Sequence, residues 1–384
     1  MDGHHPDTVE SYMAEGFPGH LNQINQHTIT AWLRNISAWF WRPEIWLLKG
    51  VSWENIQPTS EFNYRNFYDP FTYPLVIAAF ILIFRILILN PYIFEPLALK
   101  SVVIKKRRKP VENIPILEIL YKNNTRKSTT AIREASLALG WSERKVERWL
   151  RHKKKASQMS TYDKFVDCAF EFTFHLLFEF AGTLILYKKP WLWDMSLCWQ
   201  DWPHHAIDDD IWWFFMVGMA YFWSLIVIHA STRKDRTQMM IHHATTIFLM
   251  TFSWVCNFIR IGTLVLMSHE YVDLPIMASK MFQYAGKPKY NEPCYAVFII
   301  LWIILRLIIF PFWILYSGLY DPYAQKALNM PAAYVFTCLL SVLMILNITW
   351  TLIIIRIGVR KLTGGTVRDI RSSTEDSDNG NKTE

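Results

Sequence analysis

Two adjacent histidines, His242 and His243, stand in an otherwise apolar stretch, and a third follows at His269. Carboxylates flank them at Asp235, Glu270 and Asp273. Near pH 7 an imidazole can take or give a proton, and its bare nitrogen can accept an acyl group. A carboxylate beside it can orient the ring and stabilise its charged form. The set is therefore equipment for acid/base or covalent acyl chemistry. A polar cluster that merely ties helices together uses the same residue types. Asp273 and His269 are four residues apart, so on a continuous helix they share one face. Glu171, His175 and Glu179 repeat every four residues along another helix, either lining the same cavity or packing in a bundle interior. His229 reads as interfacial, and Asn257 and Arg260 as a tie between two helices at a turn. Metal chemistry is not expected. No HxxHH cluster precedes His242, where Met239, Met240 and Ile241 stand, and His204-His205 has the wrong spacing. No cofactor is implied either.

The elements that hold these residues are membrane helices. Hydrophobic residues make up 52% of the 384 and charged residues only 19%, below the roughly 25% of a soluble domain. A bilayer core needs roughly 20 helical residues to cross. Seven windows are long and apolar enough, at about 71–89, 165–187, 211–229, 239–256, 258–281, 294–316 and 333–357. Ionisable groups inside such windows are expensive and so are functional candidates. By helical rise, His242 and His243 lie roughly 5 Å inside one face, Asp273 roughly 12 Å and His269 roughly 18 Å.

Positive charge sets the direction. About 18 Lys and Arg fall between Lys100 and Lys164, and the connections after the third and fifth windows are also basic. The N-terminus is thus expected in the lumen and the C-terminus in the cytosol. The first 28 residues are polar, so the first window must act as its own insertion signal. Asn35-Ile36-Ser37 is a glycosylation sequon in the expected lumenal segment, among Trp32, Trp39, Trp41 and Trp46, which read as an interfacial belt. The five scattered Cys suggest neither a disulfide framework nor a zinc site. In the tail, Ser372, Ser373 and Ser377 stand beside acidic residues and are candidate phosphorylation sites in a segment too polar to fold alone.

Between the first two windows lies a basic, helix-forming segment. Short helices are expected at 114–121, at 128–138 with Ser128 as N-cap, and at 143–152 after Gly140. Its end, Trp149-Leu150-Arg151-His152-Lys153-Lys154-Lys155, is similar to the end of a homeodomain. His152 stands where adenine readout needs Asn. DNA binding is therefore not expected, and a basic hairpin near anionic headgroups is.

The run Asp235…His242-His243…Asn257-Phe258-Ile259-Arg260-Ile261-Gly262-Thr263-Leu264-Val265-Leu266…His269…Asp273…Lys280-Met281 resembles the signature of the ceramide synthase family, part of the wider TLC membrane domain. Lys189-Pro190-Trp191, Trp199 and Pro203 also fit. Two positions depart from the family pattern: Glu270, where Asp is usual, and Met277, where Glu is frequent. The resemblance implies an all-α polytopic membrane protein of about seven transmembrane helices, six of them in a TLC-type bundle. It divides the chain into a lumenal segment (1–70), a first membrane helix (71–89), a cytosolic homeobox-like segment (100–155), the TLC catalytic domain (160–360) and a cytosolic tail (361–384).

The implied activity is N-acylation of a long-chain sphingoid base by fatty acyl-CoA in the endoplasmic reticulum membrane. His242 and His243, about 100° apart on a helix, would divide the chemistry, with His242 favoured as acyl acceptor. His269, Asp273 and Asp235 would orient and tune. Arg233, Lys234 and Arg236 would receive the phosphates of CoA, and Asn257, Arg260 and Glu270 would contact substrate. Membrane lipids are partners on this reading, and a homo- or hetero-dimer is compatible with it. The alternative is a non-catalytic TLC-domain protein, a lipid sensor or translocon accessory.

Overall fold

The computed structural model describes residues 19–59, 65–101, 103, 111–122, 128–156, 159–232, 236–321 and 324–363. Arg233, Lys234, Asp235, Ser372, Ser373 and Ser377 lie outside the described residues. Among the described residues every regular element is a helix.

Helix α1 (Gly19–Phe40) carries Asn35 on an exposed face. Helix α2 (Asp69–Lys100) is the first long apolar helix. Three short helices follow, α3 (Pro115–Lys122), α4 (Thr129–Leu139) and α5 (Glu143–Ala156). They occupy the stretches read from sequence. The Ser128 hydroxyl caps α4 by accepting from the Ala131 amide at 3.4 Å, and Gly140 ends it in the left-handed conformation at φ 62°, where a Cβ would be strained. Leu117, Ile132, Val146, Trp149 and Leu150 form a core of their own. The Trp149 indole donates to the Glu112 carbonyl at 3.0 Å.

The bundle proper comprises α6 (Thr161–Leu186), α7 (Asp209–Thr232), α8 (Arg236–Val255), α9 (Ile259–Glu270), α10 (Asp273–Tyr284), α11 (Pro288–Tyr320) and α12 (Ala332–Leu362). Five helices are long and apolar enough to cross a membrane among the described residues: α2, α6, α7, α11 and α12. The fourth and fifth expected windows are α8 and the pair α9–α10, which carry the polar groups. The window 258–281 is not one continuous helix. It breaks at Tyr271–Val272, four residues before Pro275, whose ring lacks an amide hydrogen and crowds the carbonyl of Tyr271.

Packing fixes the order. Helix α7 lies between α2 and α8, α8 packs against α9 and α12, and α6 packs against α7, α9 and α10, while α11 covers α9 and α10. Gly182 on α6 permits its close approach to the neighbouring helices. A Cβ there would stand 2.7 Å from Phe214 and 2.8 Å from Met267. Ser160 and Asp163 close the start of α6 with a reciprocal capping box, satisfying amides that a helix start leaves bare.

The end of the bundle away from His242 is capped by the connection between α6 and α7 and by residues 40–59. Trp41 and Trp46 do not form an exposed belt with Trp32 and Trp39, as their spacing suggests. Trp46 is fully buried, its indole donating to the Phe40 carbonyl at 2.6 Å and its ring 4.6 Å from Phe252 on α8. Trp32 and Trp39 remain exposed. The chain turns back after α1, which carries the later tryptophans into the bundle end.

Candidate active site

Helix α8 presents His242, Thr246, Leu249, Met250 and Ser253 along one face, the 3.6-residue period of a helix stripe. That face lines a cavity of about 340 Å³ enclosed by α8, α9, α11 and α12, with Phe222 of α7 at its side. The volume lies in the range of ligand sites. His242 and His269 stand on a wall that is apolar but for Thr246, Ser253, Thr337 and Ser341, and whose other end is formed by Trp199, Phe258, Gly318, Ala324, Ala327 and Met330. The His242 ring packs 5.3 Å from Trp350, and its Nδ1 has no hydrogen-bond partner. His269 packs edge-on to Phe310 at 4.7 Å. Its Nδ1 is held by the Val265 carbonyl at 2.8 Å, and its Nε2 has no hydrogen-bond partner. Buried polar atoms without partners are rare and call for an explanation. Two residues with such atoms line this one cavity.

His243 points elsewhere. Its Nε2 is 2.9 Å from Nδ1 of His229 on α7, and Nε2 of His229 is 3.2 Å from the Glu171 carboxylate on α6. All three side chains are buried. His229 is therefore the middle of a three-helix chain and not an interfacial residue. Its sequence position at the end of an apolar window gave no sign of this, because the partnership depends on how three helices meet.

The carboxylates also divide differently from the expectation. Asp273 opens α10, just past the α9–α10 break, and its contact is with Arg306, whose guanidinium also holds the His269 carbonyl. Its side chain is 32% exposed and 3.9 Å from Arg306. Glu270 is the buried one, 3.1 Å from Nδ1 of His175, which is hydrogen-bonded to Tyr221 at 3.3 Å. Asn257 and Arg260 do not line the cavity. Asn257, at φ 58°, donates from Nδ2 to the Pro203 carbonyl at 2.5 Å and the His205 carbonyl at 3.0 Å. Arg260 donates to the Leu197 carbonyl at 2.7 Å. They pin the α8–α9 turn to the α6–α7 connection instead of joining α8 to α9 or touching substrate. Arg236 opens α8, the helix that carries His242.

Two functional positions escaped the sequence reading. Arg306 on α11 is buried, donating to the His269 carbonyl at 2.8 Å and to Asn347 on α12 at 3.1 Å. It fixes the backbone that carries His269. Arg85 on α2 pairs with Asp167 on α6 and lies 4.5 Å over the Phe170 ring. A lone Arg in an apolar run was the available signal for both. Among the described residues no three His, Cys, Asp or Glu side chains converge as a group able to hold a metal ion.

Comparison with known proteins follows the same lines. The TLC domain model matches residues 164–356, from early α6 into α12. Ceramide synthase 3 of Mus musculus is 33% identical over 341 residues, covering 88% of each chain. The chain belongs to the ceramide synthase family. Ceramide synthase 5 of Mus musculus is 30% identical over 346 residues, 88% of this chain and 83% of the relative. Ceramide synthase hyl-1 of Caenorhabditis elegans is 32% identical over 235 residues, 57% of this chain and 63% of the relative. The non-catalytic TLC alternative gains nothing from these matches.

Proposed function

We propose that this ceramide synthase family member joins a fatty acyl group from acyl-CoA to the amine of a long-chain sphingoid base. The observation that carries the reading is His242, a buried imidazole with a bare nitrogen on the wall of an apolar, chain-sized cavity. The thioester carbonyl would lie at His242 with the acyl chain along α8. From His242 to Ser253 the helix advances roughly 16 Å, the length of about 13 methylenes at ~1.25 Å each.

The imidazole lone pair attacks the thioester carbon, the C–S bond breaks, and CoA leaves as the thiol after taking a proton. The base amine then attacks the acyl-imidazole carbonyl, the C–N bond to His242 breaks, and the amide is released. Starting from a protonated amine, one proton is left over for each amide formed. The chain His243, His229, Glu171 begins 5.6 Å from the His242 ring and offers acceptors for that proton, two imidazoles in hydrogen-bond contact ending at a carboxylate. Such acceptors avoid opening the cavity to water.

The basic segment after α2 supports a cytosolic position for the end of the bundle that carries His242, with the N-terminus in the lumen of the endoplasmic reticulum and acyl-CoA arriving from the cytosol. Asp235, outside the described residues, and Asp273, on α10, remain orienting candidates. Arg233, Lys234 and Arg236 remain candidates for the CoA phosphates.

The test is a single-turnover reaction of purified protein with labelled acyl-CoA and no base. Acyl label should transfer to the wild type, be lost in His242→Ala, and be chased into ceramide when sphinganine is added. In steady state, His242→Ala should lower kcat at least ~100-fold, the lower range for a lost catalytic group. Half of wild-type activity in His242→Ala would remove the assignment.

A further inference from the structure

The cavity beside His242 accommodates an acyl chain, and among the described residues no carboxylate lines it to hold an amine. A second concavity lies on the other side of α9, between α6, α10 and α11. His269 faces the first cavity and Tyr271 the second, as two residues about 200° apart around a helix should. The walls of this groove are apolar, with Leu176, Phe180, Val297 and Leu301 among them, and the first three are exposed at the surface that faces lipid, with Phe180 at 65%.

Three polar groups interrupt those walls. Glu179 is only 4% exposed, and its Oε1 has no hydrogen-bond partner. The nearest imidazole nitrogen, Nδ1 of His175, is 3.9 Å away and is engaged by Glu270 at 3.1 Å. The hydroxyls of Thr183 and Tyr271 are hydrogen-bonded to each other. Thr183 donates to the Glu179 carbonyl at 2.7 Å, so the proton between the two hydroxyls comes from Tyr271. The Tyr271 oxygen then keeps lone pairs to accept from a ligand hydroxyl.

Glu179 is a lining residue of the groove and its bare oxygen is buried just behind the wall; a buried carboxyl oxygen without a partner costs free energy that a donor reaching it would recover. Among the described residues no Lys, Arg or His lines the groove, so it offers phosphate headgroups and acyl-CoA no counter-charge. It suits an amphiphile with an amine, a hydroxyl and a long alkyl tail. Whichever of the two holds the proton, a carboxyl and an amine form a charge-assisted or strong neutral hydrogen bond.

We infer that this groove is the docking site for the long-chain amino alcohol, the amine at Glu179, a hydroxyl at Tyr271 and the tail along Leu176 and Val297. The inference rests on the proposed reaction and deepens it. The groove is separated from His242 by α9, so it is the position from which the base leaves the lipid phase, not the one at which it reacts. Glu179 is accordingly a positioning residue.

The experiment uses the full chain in detergent, varying sphinganine and acyl-CoA separately. Glu179→Gln keeps the shape and removes the carboxyl. Ala278→Trp fills the groove without touching the carboxyl. Each should raise KM for sphinganine about tenfold, the loss of one charge-assisted contact. KM for acyl-CoA and kcat at saturating sphinganine should stay within about twofold of wild type. A photoreactive sphinganine should label peptides containing residues 176–183 or 271–278. A long-chain amine should compete, and a fatty alcohol of equal length should not.

An unchanged sphinganine KM in both variants of an active enzyme overturns the site. So does equal competition by the fatty alcohol, which would make the groove an ordinary seat for bilayer lipid. If the wild type fails to acylate sphinganine at all, the proposed reaction falls. Amine-specific labelling of the groove then still decides the site.

Discussion

Glu270 and Asp273 are three residues apart and have different surroundings. On a continuous helix Asp273 would stand beside His269, and Asp273→Asn would be the more damaging change. The unequal burial of the two carboxylates reverses that ranking. Glu270 is buried against His175 and next in sequence to His269, whereas Asp273 reaches only a 3.9 Å contact with Arg306 at a partly exposed position. Removing one member of a fully buried polar pair leaves the other without compensation and costs about 3–5 kcal/mol, whereas Arg306 keeps its bonds to the His269 carbonyl and Asn347 when the partly exposed Asp273, 3.9 Å away, is changed. Glu270→Gln is therefore expected to lower the amount of folded protein and its activity by more than tenfold. Asp273→Asn should stay within a few-fold, and Glu270→Asp should fall between them, because the charge stays but the reach to His175 shortens. Detergent thermal shift with acyltransfer rate on the three variants checks the order. Asp273→Asn as the most damaged protein would restore the continuous-helix picture.

At the scale of elements, the cavity is a groove along α8 closed at its far end by the connection from α11 to α12. Ala324, Ala327 and Met330 are buried there and line the wall, with Gly318 of α11 beside Trp199. Small side chains at that end set how far an acyl chain can run. Ala327→Phe adds a ring about 4 Å deep, the length of roughly three methylenes, so the product profile should shift toward shorter acyl chains while total activity on the shorter substrate persists. Some loss of stability, about 1–3 kcal/mol, accompanies overpacking. An acyl-CoA panel read by mass spectrometry tests this, and an unchanged profile would place selectivity elsewhere.

The same elements mark what the sequence made legible. The helices of the bundle follow from apolar runs of the right length; the cost of polar groups in hydrocarbon marked the His pair as a candidate site, and the resemblance of that pair and the Asn257–Leu266 turn to a known signature pointed to the family. The contact chain from His243 through His229 to Glu171 was not legible, since it joins three helices far apart in sequence. The break before Pro275 has a sequence signal, the proline itself, which a count of apolar residues does not register. Arg306 was visible as a single charge in α11, but its task of holding the His269 carbonyl exists only once α11 packs on α9.

On the scale of the whole molecule, chemistry and stability sit at opposite ends of the bundle. The His242 end follows the basic segment and carries the polar groups. The other end is a plug of tryptophans and backbone hydrogen bonds. The Trp202 indole donates to the Cys256 carbonyl at 2.9 Å and stacks on Phe258 at 4.7 Å, and Asn257 holds the Pro203 and His205 carbonyls. Phe258 and Trp199 also close the far end of the cavity, so loosening the plug should loosen the acyl site. His205 is the plug's titratable weak point. It is buried, its Nε2 is bonded to the Gln200 carbonyl and its Nδ1 has no hydrogen-bond partner. Burial pushes its pKa down from the usual 6.5 to about 4, with the Gln200 carbonyl opposing the shift and Arg260 adding to it. A histidine held neutral in the folded state binds fewer protons than the unfolded chain does between those two values. Its contribution to stability is thus complete above pH 6.5 and is lost progressively as pH falls toward 4. The melting temperature in detergent is therefore expected to fall between pH 7 and pH 5, with acyl-CoA turnover falling alongside. His205→Gln keeps a neutral hydrogen-bonding group in place and should flatten that decline while leaving the pH 7 value within a few degrees of wild type, the span of ~1 kcal/mol in a chain of this size. Parallel melting curves for the two proteins across that range would show that acid loosens the bundle through some group other than His205.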